Sequence, residues 1–335
     1  MQKFISKEDL LRKLSELAKK FELIGPKEIQ GKGIFYENIT DTKELCFDAS
    51  IAIEPAKKLF LNPAEFLAKE TLSSDNVVIE TIDLPKGNRL LIGITPCEAK
   101  GLTLLDKVFD SEYKDNFYIN NRKRTIIVGL ACAKADTSCF CTSLNGSPVE
   151  NTGMDAILFY LESGFVIDIT SDCGKEIFAS WGEDLSKDKL KSWQIDKEKR
   201  VASVKKTIKV PEPETLDKIF ESEYWAKVSR PCLSCGICTY LCPTCHCFDL
   251  ADESRKKLRC YDSCAFRDFT LQASGENPRL NKKDRYRQRV FHKFNYFKKN
   301  FADNLCVGCG RCIRTCPVKI NIGQIIDGAS KVANT

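Results

Sequence analysis

The sequence predicts an α/β N-terminal domain, residues 1–210, followed by a mainly α-helical, cysteine-rich domain, residues 213–335. Three observations carry this. Short apolar runs alternate with helical patterns over the first two thirds of the chain. Pro211-Glu212-Pro213 breaks regular pairing and marks a linker. After it the cysteines crowd into two closely similar runs. At 335 residues the chain is long enough for two domains with cores of their own.

From the N-terminus, Met1 to Lys20 reads as an amphipathic helix, with Ser6 and Asp9 as a capping box and Leu10, Leu14, Leu17 and Phe21 at helical spacing. Gly25-Pro26 ends this run. The segment lacks the apolar core of an export signal, and no later apolar run is long enough to span a bilayer. Val77–Leu84 alternates like a strand and Arg89–Thr95 is a short buried-strand run. Glu98–Phe109 is helical through Leu102, Leu105 and Phe109, and Thr125–Leu130 is a further strand. Strand, helix and strand in this order predict a βαβ unit. Ile157–Leu161 and Phe165–Thr170 flank Glu162-Ser163-Gly164 as a hairpin. Asp184–Lys206 is polar and lysine-rich, an exposed helix or irregular segment, and Glu214–Val228 carries an apolar stripe of Leu216, Ile219, Phe220 and Val228.

The chemistry lies in the two cysteine runs. Cys232, Cys235, Cys238 and Cys242 precede Pro243; Cys306, Cys309, Cys312 and Cys316 precede Pro317. Both read C-x2-C-x2-C-x3-C-P, the run that holds [4Fe–4S] cubes in bacterial-type ferredoxins. Three thiolates on a tight loop bind three irons of one cube, and the fourth starts a helix that turns toward the other. The spacing therefore assigns cluster I to Cys232, Cys235, Cys238 and Cys316, and cluster II to Cys242, Cys306, Cys309 and Cys312. Zinc sites use paired C-x2-C units rather than triplets closed by C-P, and disulfides are disfavoured in reducing cytoplasm, the compartment expected here. Sixty-three residues lie between Cys242 and Cys306, so the helical ferredoxin module must contain inserted structure, expected to be helices.

Ten of the 18 cysteines fall outside the two runs. Cys97 and Cys132 each follow a predicted strand, which places both at the carboxyl edge of one sheet if the strands are parallel. With Cys139 and Cys141 they form a candidate cluster III, a third [4Fe–4S] cube; the bland alternative is a set of small buried thiols. Cys173 is a spare ligand and Cys46 reads as structural. Cys245, Cys247, Cys260 and Cys264, with His246, form either a further metal site or a shell of weak donors to the cubes. The formal charge of +6 is offset by bound cubes, each formally about −2 with its four thiolates.

Arg279–Lys299 is basic and interleaved with aromatics. A single-strand nucleic-acid surface is one reading. A helix that packs its aromatics near the clusters, stabilises the reduced cubes and docks an acidic partner is the better one, and nucleic acid is not expected. Gly31-Lys-Gly33 lacks the third glycine of a dinucleotide-binding turn, no P-loop is present, and two histidines supply little acid–base chemistry.

Cys238–Asp249, Ala273–Arg279, Arg287–Arg289, His292–Phe294 and Cys306–Pro317 together resemble the iron–sulfur β subunits of soluble sulfhydrogenases, a family that includes an iron–sulfur component of anaerobic sulfite reductase. Gly93–Cys97, Leu105–Phe109 and Thr137–Cys141 also fit, and the resemblance covers most of residues 50–325. Glu98 stands where aspartate is expected and Cys260 where tryptophan is expected. The resemblance implies a non-catalytic, cytoplasmic subunit of a hetero-oligomeric anaerobic oxidoreductase. It would carry electrons between a flavoprotein linked to NAD(P)H or ferredoxin and a catalytic subunit, foremost a NiFe hydrogenase, with sulfite reductase or another flavin-coupled enzyme as alternatives. A redox-sensing regulatory cluster protein is the competing class; the sequence shows no helix-turn-helix pattern for it to use.

Overall fold

A computed structural model describes residues 1–47, 52–72, 76–162 and 164–333. The chain divides into two compact units: residues 1–56, 86–207 and 307–310 form the first, and residues 57–85, 208–306 and 311–335 the second. The second unit thus takes in residues 57–85 from within the N-terminal two thirds of the chain, and the first takes in 307–310.

The first unit is built on an eight-stranded mixed sheet. Its order is Glu183–Asp184, Gln2–Ser6, Gly164–Ile169, Ala156–Leu161, Thr125–Leu130, Arg89–Ile94, Glu22–Ile29 and Gly33–Asn38. Arg89–Ile94 is buried throughout, as a central strand covered on both faces must be. It runs parallel to Thr125–Leu130, with Leu90 opposite Ile126 and Leu91 opposite Ile127. The helix Pro96–Phe109 makes the crossover between them, which is the predicted βαβ unit. Ala156–Leu161 and Gly164–Ile169 pair antiparallel as the expected hairpin; Ser163 at its turn lies outside the described residues.

The N-terminal expectation needs correction. Gln2–Ser6 is a strand that pairs with Gly164–Ile169, and the helix begins only at Lys7. The cap is as expected, since Ser6 Oγ accepts from the Asp9 amide at 3.0 Å. Leu10 and Leu14 then seal the core against Ile5, Leu23, Leu90, Val128 and Phe165. Five residues are too few for a hydrophobic period to distinguish a short strand from the first turn of a helix.

The second unit is mainly helical, with Pro213–Asp217, Tyr224–Ser229, Lys282–Phe291, Phe297–Phe301 and Ile322–Val332 as its principal helices. Trp225 and Phe291 meet edge to face at 5.5 Å, and the Trp225 indole donates to the Ile219 carbonyl at 2.7 Å. The insert between the two cysteine runs is not helical throughout. Phe248–Glu253 and Lys256–Tyr261 form a hairpin, which joins Ala64–Leu72 and Val77–Thr81 in a four-stranded antiparallel sheet. The strand predicted near Val77 therefore exists, but it belongs to this sheet and not to the βαβ unit. Among the described residues, no helix is long and apolar enough to cross a membrane.

Candidate metal centres

In the second unit, Cys232, Cys235, Cys238, Cys312 and Cys316 all line one small cavity, with Ile237, Ile320 and Ile322 among its apolar walls. Gly236 makes the loop possible. Its φ of +74° suits glycine, and a Cβ there would lie 2.7 Å from the Phe266 ring. Backbone amides already point at the sulfurs: Ser234 N donates to Cys232 Sγ at 3.4 Å and Ile320 N to Cys316 Sγ at 3.3 Å. Five thiols around a cavity, with N–H donors and an apolar wall, suit a cube whose four irons each bind one thiolate, with Cys312 beside the four that the spacing assigns to cluster I. Among the described residues, no group of three or more His, Cys, Asp or Glu side chains is arranged to hold a single metal ion.

The fourth cysteine of the first run sits differently. Cys242 is buried beneath Lys293, whose Nζ donates to Cys242 Sγ at 3.3 Å, Thr244 Oγ1 at 3.1 Å and the Leu305 carbonyl at 2.9 Å. Lys293 is 2% exposed and lies in a π-helical stretch, His292–Tyr296, which continues the helix Lys282–Phe291. Such widened turns re-aim side chains and recur at functional sites. Arg289, also buried, donates to Cys245 Sγ at 3.4 Å and to the Cys238 carbonyl at 2.8 Å. Lys57 reaches the Cys245 carbonyl at 2.6 Å and the Thr239 carbonyl at 3.3 Å. A hydrogen bond from the Cys245 thiol and the positive charge of Lys293, Arg289 and Lys57 hold Cys242 well below the usual thiol range despite its burial. Burial opposes the charge on Lys293, yet the Cys242 and Cys245 sulfurs raise its pKa.

Cys247 and Cys264, two further thiols of this unit, pair with one another. Cys247 donates to Cys264, which is held down to about 6, while Cys247 is itself pushed up. Cys260 lies on the strand Lys256–Tyr261, opposite Ala64. His246 and His292 pack at 5.3 Å, and burial lowers them to about 4 and about 3, so both rings are neutral.

In the first unit, Cys97 follows the strand Arg89–Ile94 and Cys132 follows its parallel neighbour Thr125–Leu130. Both stand at the carboxyl edge of the sheet. Thr95 Oγ1 lies 3.3 Å from Cys97 Sγ. Cys132 is within electrostatic reach of Cys141 and Cys139, and burial followed by those neighbours pushes it up to about 12. Cys141 is pushed up to about 11, chiefly by burial. The Cys139 thiol donates to the carbonyl of Cys309 at 3.7 Å, because Val307–Gly310 packs within this unit. Gly308 allows that approach: a Cβ on it would sit 2.6 Å from the Cys141 amide nitrogen. Glu98, 1% exposed, braces the edge by accepting from Tyr36 Oη at 2.5 Å, Thr95 Oγ1 at 2.9 Å and the Ala56 amide at 3.0 Å. Cys173 is exposed on a separate helix, Asp172–Phe178, and Cys46 Sγ donates to the Glu44 carbonyl at 3.7 Å.

Sequence reasoning did not find the buried cations as a group. Lys57 lies far from the cysteine runs in sequence. Lys293 and Arg289 lie within a basic stretch whose composition does not distinguish an inward charge from a solvated one.

Comparison with known proteins agrees with this geometry. Residues 231–320 match a 4Fe-4S dicluster domain. Over 303 residues the chain is 34% identical to sulfhydrogenase 2 subunit beta of Pyrococcus furiosus, covering 87% of each chain. No solved structure matches. With a dicluster domain around its cysteine runs and this likeness along most of its length, the chain belongs to the iron–sulfur sulfhydrogenase β-subunit family.

Proposed function

We propose that this chain is the non-catalytic electron relay of a cytoplasmic, hetero-oligomeric oxidoreductase. It would link a flavoprotein that uses NAD(P)H or ferredoxin to a catalytic subunit, foremost a NiFe hydrogenase. The observation that carries this reading is the gathering of Cys232, Cys235, Cys238, Cys312 and Cys316 around one apolar-walled cavity, in a unit that also buries Lys293 and Arg289 against sulfur. Bound cubes supply one-electron transfer with little rearrangement, which suits a link between a two-electron flavin and a metal catalyst. The protein holds the ligands, keeps water from the inner thiols and places fixed positive charge where reduction adds negative charge.

Cluster I is assigned to Cys232, Cys235, Cys238 and Cys316, and cluster II to Cys242, Cys306, Cys309 and Cys312, on their spacing. Cluster III is assigned to Cys97, Cys132, Cys139 and Cys141. Its support is the shared sheet edge and the mutual reach of the last three thiols. The functional boundary is placed at the double-proline linker, with the two-cluster module at 213–335.

Anaerobic purification from the native host, with partner identification and iron analysis, tests the reading. Co-purification with a flavoprotein and a hydrogenase is expected, with about twelve irons per chain. About eight irons in a fully loaded preparation would remove cluster III alone. A chain with zinc and no iron would overturn the relay.

A further inference from the structure

The relay reading leaves open where electrons cross to another protein. The first cysteine run contains an opening in an otherwise covered site. Cys235 is exposed, and Leu233, between two ligand positions, is 62% exposed. Pro317, after the last ligand of the same set, is also exposed and lines the same cavity. An apolar tip at the edge of a redox site lets a partner approach without leaving a shell of water between the centres.

The exposed charges beside this tip that stand outside ion pairs are positive. Lys227 and Arg230 are exposed and with Pro231 line a surface cavity at the start of the loop. Lys282 binds the loop itself, donating to the Arg230 carbonyl at 2.8 Å and the Cys232 carbonyl at 3.1 Å. Lys319 is exposed two residues beyond Pro317. Nearby carboxylates are engaged: Glu221 and Asp284 pair with Arg287, and Glu223 with Lys283. Among the described residues, Lys227, Arg230 and Lys319 make no ion pair with a carboxylate. A bound cube with its thiolates is itself negative, so an acidic protein would be repelled here unless a basic rim outweighed it.

We propose that Leu233, Cys235 and Pro317, rimmed by Lys227, Arg230 and Lys319, form the docking face for an acidic one-electron redox protein or subunit, which exchanges electrons at the cluster I position. This rests on the relay reading and names the class of its partner. Charge complementarity favours an acidic occupant, and the exposed leucine supplies the contact at the centre.

Stopped-flow mixing of the oxidised, iron-loaded full chain with flavodoxin hydroquinone tests this, because flavodoxin carries its flavin within an acidic face. One electron passes from the hydroquinone, which becomes the semiquinone, to an oxidised cube. The second-order rate should fall as salt rises. It should fall about tenfold or more at low salt in the double variant Lys227→Glu, Arg230→Glu, and less in Lys319→Glu. Reduction by methyl viologen radical, iron content and the cluster spectra should stay as in the unmodified chain. Unchanged rates in both variants with intact spectra would overturn the face, as would a rate that rises with salt. Failure of viologen to reduce any iron centre in the unmodified chain would sink the relay reading, and the face with it.

Discussion

Cys132 in the first unit and Cys242 in the second are both thiols taken out of water, but their surroundings act in opposite directions. Cys132 has two further thiols and Glu98 for neighbours, with Arg200 as its opposing cation, and is pushed up to about 12. Cys242 has Lys293, Arg289 and Lys57, together with the Cys245 thiol as a donor, and is pulled below the ordinary thiol range. Burial alone disfavours a thiolate; burial beside fixed cations prepares one. Around Cys242 the second unit is thus arranged to receive anionic sulfur before any iron arrives, whereas burial pushes the Cys238 thiol up. A cube in the first unit would have to displace protons from reluctant thiols.

The largest effect that probes this contrast is ligand removal. Cys242→Ser should cost about four of the irons held by the dicluster domain, read by iron analysis and the loss of one reduced-cluster EPR signal. Cys139→Ser should leave both C-terminal signals intact and remove only the third. Unchanged iron content after Cys139→Ser would dissolve the comparison, leaving the first-unit thiols as packing.

Removing the cation comes next. Lys293→Met takes away a buried positive charge 3.3 Å from Cys242 Sγ. Reduction adds negative charge, so the midpoint potential of the cluster on Cys242 should move to more negative values, and iron retention under chelator should weaken about 10- to 100-fold. Redox titration followed by EPR checks both. A potential that stays in place would show that Lys293 serves packing only.

Iron loading of the apo-protein should separate the two sites by pH. Ligation requires thiolate, so the first-unit set, with Cys132 near 12 and Cys141 near 11, should gain occupancy steeply as pH rises from about 7 to about 9. Loading at the Cys242 position should change less. Parallel pH profiles in the two cysteine variants above would contradict the electrostatic difference.

The smallest expected effect concerns the buried histidines. His246 and His292 are lowered from 6.5 to about 4 and about 3 by burial. The folded state therefore binds fewer protons than the unfolded chain between those values. Their contribution to stability is present above 6.5 and is lost as pH falls toward 4. Ring proton shifts that stay flat from about pH 8 to pH 5 would show it, and a titration midpoint near 6.5 would refute it.

Much of this molecule is written in local pattern. The βαβ unit was legible because Arg89–Thr95, Glu98–Phe109 and Thr125–Leu130 each carry their own period. The hairpin ending at Thr170 was legible for the same reason. Val77–Thr81 was legible as a strand but not as to its sheet, since alternation says nothing about a partner. The hairpin Phe248–Glu253 with Lys256–Tyr261 escaped notice because its strands are half polar and lie beside cysteines that draw attention to ligation.

By itself the sequence determined the chemistry: thiol type, spacing and the closing prolines specify clusters, because a cube demands four sulfurs on a chain that turns in a set way. Only the tertiary structure decided the electrostatics. Lys57, Arg289 and Lys293 come from distant parts of the chain, and whether a lysine faces solvent or sulfur depends on which turn of which helix meets the thiol. Desolvation multiplies that difference, so residues indistinguishable in composition acquire opposite roles once they are packed.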